Sequence, residues 1–200
     1  MARIIQTHVP PLFPPAGPVR VLLLGEAPGP RGADQSGIPF WGDRAGVLVY
    51  RALERAGLAR VPAEAYLCWD GAVLRARGLA PELTGAALGN AFPICPSRDL
   101  EHFRAPSDTE LRSPANRDRL RAELRQAADR CPGPLRVITL GKRAEWLLQN
   151  LPDAPPIQLH GLPHPSAQGL LQGAPGRGKG LKMADLQREW EARLAALLDL

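Results

Sequence analysis

The chain has 200 residues, 44% of them hydrophobic, and 25 Lys and Arg against 20 Asp and Glu, for a formal charge of +5. Such a length and apolar content suit one compact domain over residues 1–200 with a real core. No apolar run of about eighteen residues is present, so no membrane span is expected, and the N-terminus shows no apolar stretch with a small-residue cleavage site, so no signal peptide is expected either. Three widely spaced cysteines, Cys68, Cys95 and Cys131, with no C-x-x-C pair, argue against a disulfide framework or a zinc site and for a reducing cytoplasm.

Residues 1–18, with prolines at 10, 11, 14, 15 and 18, read as an extended lead-in strap. "VRVLLLG" (19–25) is short, aliphatic and stopped by glycine, which predicts a buried strand. A rigid loop follows over 25–46, rich in glycine and proline, with the acids Glu26, Asp34 and Asp43 and an exposed-looking "PFW". The spacing of Leu48, Leu53 and Ala56 predicts a helix over 45–58. A second strand is expected within 85–95, then a long polar connection over 97–116 and a basic amphipathic helix over 117–131. "LRVITLG" (135–141) is the clearest strand after the first, and "KRAEWLLQN" a helix. "PIQLHGLPHPS" (156–166) starts as a short strand and breaks into a rigid loop. Over 183–199, Met183, Leu186, Trp190, Leu194 and Leu197 recur at helical spacing and should pack on the core.

Strands alternating with helices imply an α/β fold with a central, mainly parallel four-stranded sheet covered on both faces. Ligands of such sheets bind beyond the carboxyl ends of the strands. The loops 25–46, 90–98 and 160–169 lie at such ends and should converge on one site. Nucleotide chemistry fails on spacing: residues 25–30 are not G-x-G-x-x-G, and "TLGKRA" lacks the upstream glycine and the Ser/Thr of a Walker loop. No G-x-S-x-G elbow exists for a serine hydrolase.

In order along residues 19–166, "GEAPG" (25–29), "SGIPFWGDRAG" (36–46), "GNAFP" (89–93), "VITLGKRA" (137–144) and "HPS" (164–166) resemble the motifs of the uracil-DNA glycosylase superfamily, in particular its bacterial GEAPG and GLAPA branches. The resemblance implies a three-layer α/β/α sandwich and excision of uracil, or a related deaminated base, from DNA. A base inside a duplex is out of reach, so the nucleotide must be flipped into a pocket. In the implied pocket the small residues Ala27 and Gly29 let backbone amides approach the nucleotide, and Phe40 stacks on the flipped base. The carboxamide of Asn90 offers one donor and one acceptor, which match O4 and N3–H of uracil. His164, held between prolines, donates to O2 as the base leaves as an anion. Phe40 as ordinary core and Asn90 as a strand-end cap are the plainer alternatives.

Departures from the family matter as much. In its best-known branch the third position of the first motif is a water-activating aspartate, and the fifth is a tyrosine that blocks the thymine methyl. Here these are Ala27 and Gly29. Asp43 is the first candidate for the missing carboxylate and Glu26 the second, although an acid just before a helix is also a good N-cap. The space at Gly29 is left for Trp41 or another group to fill, or it admits bulkier bases. The GEAPG and GLAPA branches usually carry a four-iron cluster on four cysteines; with three cysteines and no C-x-x-C, neither metal nor other cofactor is expected here.

For the DNA itself, Ser166 and the basic tract "GRGKGLK" (Arg177, Lys179, Lys182) suit backbone phosphates. Leu170 or Leu171 either fills the gap left by the flipped base as a wedge or packs beneath its loop. The resulting expectation is a monomeric, monofunctional glycosylase of the bacterial cytoplasm and nucleoid. The competing reading is a non-catalytic or covalently trapping binder of uracil-containing DNA on the same fold.

Overall fold

The computed structural model describes residues 3–199. Four strands, β1 (Val21–Gly25), β4 (Ala86–Asn90), β5 (Leu135–Leu140) and β6 (Ile157–Leu162), form one all-parallel sheet in the order β4-β1-β5-β6. The intervening chain forms α1 (Ala33–Ser36), α2 (Arg44–Arg55), α3 (Gly71–Ala76), α4 (Asp108–Arg112), α5 (Pro114–Asp129), α6 (Lys142–Gln149), α7 (Ala167–Gly173) and α8 (Met183–Leu198). Two short strands, β2 (Ala59–Arg60) and β3 (Glu82–Leu83), pair antiparallel beside the main sheet.

Parallel strands need helical crossovers, and these cover both faces. Because side chains alternate along a strand, Val21 and Leu23 face one core with Leu53, Leu74, Trp190 and Leu194 of α2, α3 and α8. Leu22 and Leu24 face the other, with Leu120, Leu124 and Leu147 of α5 and α6. The fold is the expected three-layer α/β/α sandwich. In α8 Leu186, Trp190 and Leu194 are buried, as their spacing required.

From β1 the chain moves to β4 on one side and then returns to β5 on the other, so the strand order reverses at β1. The crevice beyond the carboxyl end of β1 is therefore the topological switch point, the usual ligand site of such sheets.

The strap closes over this end. Ile4 and Val9 are buried, and backbone amides of Ile4, Val9 and Leu12 donate to the carbonyls of Leu100, Pro93 and Leu88. The fully buried carboxylate of Asp34 accepts from the amides of Ile5 (2.7 Å) and Thr7 (3.2 Å), fixing the strap to the first loop.

Candidate functional site

Gly25 and Asn90 end β1 and β4 opposite each other in register. A Cβ on Gly25 would stand 2.9 Å from Asn90 Oδ1 and from the edge of the Phe40 ring. Only glycine there lets the ring and the carboxamide close over the strand end. Asn90 and Phe40, so held, line the inner part of a cleft of about 920 Å³ whose lining also includes Asp43, His164 and Glu26. The loops thus meet at the switch point.

Asn90 is 3% exposed. Among the described residues its carboxamide makes no hydrogen bond, and its Nδ2 is a buried donor without a partner. A capping asparagine would be using its side chain; this one holds it free, at the cost of desolvation. The strand end is braced by other groups: Arg119 donates to the carbonyls of Asn90 (3.2 Å) and Ala91 (2.9 Å).

Phe40 belongs to the core and lines the cleft at once. Its φ of +61° is rare for a bulky residue. The surrounding loop enforces it: the Tyr50 hydroxyl donates to Pro39 O at 2.8 Å, and Ser36 Oγ donates to Trp41 O at 2.9 Å. A Cβ on Gly46 would lie 1.7 Å from Phe40 O, so this carbonyl fits only over a glycine. Strain of this kind persists where the surroundings over-determine it, commonly at ligand sites. The "PFW" is not exposed as its sequence suggested. Trp41 is fully buried, donates to Leu79 O at 3.0 Å and packs edge-on against Tyr50 and Trp69.

Trp41 therefore does not fill the space beside Gly29. Asp43 does. A Cβ on Gly29 would stand 2.6 Å from Asp43 Oδ1, and one on Gly32 2.3 Å from Asp43 Cγ. Although Asp43 precedes α2, its side chain makes no capping bond to that helix. It turns instead toward the first loop and accepts weakly from Ala33 N–H at 3.4 Å. Burial pushes its carboxyl up to about 6 against this hydrogen bonding. Glu26 lies 2.9 Å from Arg143 Nε, and Arg143 also reaches Asp108 at 3.0 Å. Burial raises the Glu26 carboxyl, with Arg143 opposing.

The backbone N–H of Ser166 donates to His164 Nδ1 at 3.2 Å. Nδ1 is thereby the acceptor, and a neutral ring carries its proton on Nε2. Burial lowers the His164 pKa, which favours that neutral form. The loop is close-packed: a Cβ on Gly169 would meet His164 O at 2.3 Å. Ser166 lines the cleft while its Oγ accepts from Gly169 N–H and caps α7.

Ala27 and Gly29 line the cleft as well. Arg177, Lys179 and Lys182 are exposed and lie outside the lining, on and after the short turn Pro175–Gly178. Leu170 is corrected: it is 4% exposed and packs in the core with Trp190 and Leu186, so it does not project as a wedge. His160 sits within β6, away from the lining. The cleft also contains Arg31, Arg44, Trp69, Phe103 and Arg143, which the sequence reading missed. Arg143 had a signal, since it opens the helix after a parallel strand at the ligand-binding end; Phe103, in a polar connection, had none.

Cys68, Cys95 and Cys131 are free. Among the described residues no three His, Cys, Asp or Glu side chains gather in a metal-binding group. Three separated thiols do not fit a four-cysteine iron cluster. No helix among the described residues is long and apolar enough to cross a membrane.

The chain resembles, over 43 residues, the type-5 uracil-DNA glycosylases of Thermus thermophilus (46% identity), Mycobacterium leprae (49%) and Mycobacterium tuberculosis (51%). Each match covers 22% of this chain and 20%, 19% and 16% of the respective relative, so it spans at most a fifth of their length. A family model of the uracil DNA glycosylase superfamily matches residues 10–183, which takes in the sheet, the crevice and every residue of the cleft discussed above. With that match the parallel sheet and its switch-point cleft have a family: the chain belongs to the uracil DNA glycosylase superfamily.

Proposed function

We propose that the protein is a monofunctional DNA N-glycosylase that hydrolyses the N-glycosidic bond of uracil, or a related deaminated base, in a nucleotide flipped out of DNA. The observation that carries the reading is the unpartnered carboxamide of Asn90, buried at the floor of a cleft that also holds Phe40, His164 and Asp43. In this reading Phe40 stacks on the base while Asn90 donates to O4 and accepts from N3–H. Cytosine, with an N4 amine and a bare N3, offers the reverse pattern.

As the bond between C1′ and N1 breaks, its electron pair passes to the base and charge grows on O2. The Nε2–H of His164, preset by the Ser166 amide, donates to that oxygen; one such donor is worth about 10²–10³ in rate. Asp43 orients water at C1′ and takes its proton when ionised, leaving the free base and an abasic site. Glu26, tied to Arg143, holds the wall of the cleft. The cleft lining contains no lysine to form a Schiff base, which supports hydrolysis over a lyase. The setting that suits three free cysteines is a reducing cytoplasm, with the monomer acting on nucleoid DNA.

The test is a single-turnover assay on a uracil-containing oligonucleotide followed by alkali cleavage. Strand breaks at the uracil after alkali are expected. Binding, or a covalent adduct, without an alkali-labile site would mean that the protein recognises uracil-containing DNA without turning it over.

A further inference from the structure

Among the described residues Phe103 is the exposed aromatic of the molecule: at 49% exposure it stands with the aliphatics Ile5, Leu67, Val73 and Leu181 as a large apolar side chain in water. A single exposed apolar residue is ordinary. The position of this one is not, because it lines the same cleft as Phe40, Asn90 and His164.

The loop that presents it is firmly built. Ser97 and Phe103 form a backbone bridge, and Arg104 N–H donates to Pro96 O at 3.1 Å. Asp99 Oδ1 accepts from the amides of Glu101 (2.9 Å) and His102 (2.8 Å), while Ser97 Oγ accepts from Leu100 N–H (2.9 Å). Leu100 O accepts from Ile4 N–H at 2.8 Å, which ties the loop to the strap. On the far side Arg104 forms a two-pronged ion pair with Glu110, at 2.7 and 2.5 Å. The ring is thus held out at the mouth by a backbone with little freedom left to lose on binding.

Two more observations say what it meets. At about 920 Å³ the cleft lies at the upper end of ordinary ligand sites, roughly 300–1,000 Å³, so it holds more than one pyrimidine. Its rim carries Arg31 and Arg44, both exposed and without an ion-pair partner among the described residues, as a strand of phosphates requires. A rigid aromatic that shares a groove with free cations is the usual platform for single-stranded nucleic acid.

We propose that Phe103 forms a second base site at the mouth of the cleft, stacking on the unpaired nucleobase next to the one held by Asn90. The proposal rests on the reading of the cleft as a DNA site. It makes the enzyme sensitive to the identity of a neighbouring base through stacking strength, with no hydrogen-bond reading of its edge.

The test is a binding cycle on single strands that carry an uncleavable 2′-fluorinated deoxyuridine, with adenine or an abasic spacer placed on either side of it. For the wild type, removing the neighbouring base on one side should weaken binding about five- to 150-fold, the usual worth of one base–aromatic stack. Phe103→Ala should bind the adenine strand that much more weakly and become indifferent to the spacer. Phe103→Trp should restore the sensitivity, and melting curves confirm that both variants fold. If Phe103→Ala keeps the wild-type sensitivity, or the wild type has none on either side, the second base site is refuted. Excision of ordinary deoxyuridine is scored separately. A wild type that shows the coupling but excises nothing would sink the glycosylase reading and leave the stacking site standing.

Discussion

Replacing Asp43 with asparagine should abolish excision and remove a cost to stability that the wild type acquires as pH rises from about 4 to about 6. A Cβ on either Gly29 or Gly32 would collide with this carboxyl, and the amide bonding of Ala33 (3.4 Å) and Gly32 offsets only part of its lost hydration. Burial accordingly lifts it from the ordinary 3.8 to about 6. A carboxyl whose folded pKa lies above its unfolded value binds its proton more tightly when folded. Stability is therefore unaffected below the unfolded pKa and falls as pH rises from about 4 to about 6. At about 1.4 kcal/mol per pH unit the full penalty approaches 3 kcal/mol, and partial access to water reduces it to roughly 1–3 kcal/mol. The asparagine variant escapes this penalty at every pH. Urea unfolding of both proteins from pH 4 to 8 should show the variant's advantage growing by that amount between pH 4 and 7, whatever constant offset the new amide adds. Wild-type kcat/KM should fall on the acid side with an apparent pKa near 6. A stability difference that is flat with pH, or that shrinks as pH rises, would show that the Asp43 carboxylate is not desolvated by the fold.

Gly46→Ala places a methyl 1.7 Å from Phe40 O and must displace that residue; a loss of about 3 kcal/mol or more is expected in thermal melting, and a Tm equal to wild type would contradict the close approach. His164→Ala should slow excision of every base alike, by about 10²–10³, in single-turnover assays, because it removes stabilisation of the leaving anion and not base reading; a base-selective loss would contradict that role. Binding to an uncleavable uracil duplex should weaken steeply with salt, and Arg177→Ala with Lys179→Ala should lower the slope of log K against log salt by about 2; an unchanged slope removes the tract from the DNA interface. Chelation should leave activity intact and the purified protein colourless, and stoichiometric iron would overturn the reading of the cysteines.

The sheet was legible because β1 and β5 are unbroken aliphatic runs, the pattern of a strand buried on both faces. The cleft motifs were legible because their chemistry sits at strand ends. Other elements escaped for local reasons. Residues 97–116 read as polar connection, yet Ser107 and Glu110 form a reciprocal capping box that starts α4, and Ser113 with Pro114 starts α5 three residues earlier than its apolar spacing implied. Asp70 caps α3 by accepting from the amides of Ala72 and Val73, another written signal passed over. The burial of Trp41 and Leu170 was not readable, since each depends on partners distant in sequence, Leu79 for one and Trp190 for the other. The fit of Asp43 against Gly29 was equally hidden: the sequence shows a missing tyrosine, and only the fold shows what stands in its space.

The central claim is that the free carboxamide of Asn90 reads the base, and single-turnover excision by Asn90→Asp on uracil and cytosine strands tests it most directly. An ionised carboxylate offers only acceptors, so it meets uracil O4 with like partial charge and loses one hydrogen bond. A loss of a few kcal/mol, or about two or more decades in rate on uracil, is predicted. Weak excision of cytosine should appear in its place, since the carboxylate accepts from the N4 amine. A folded Asn90→Asp protein that removes uracil at the wild-type rate would contradict the account.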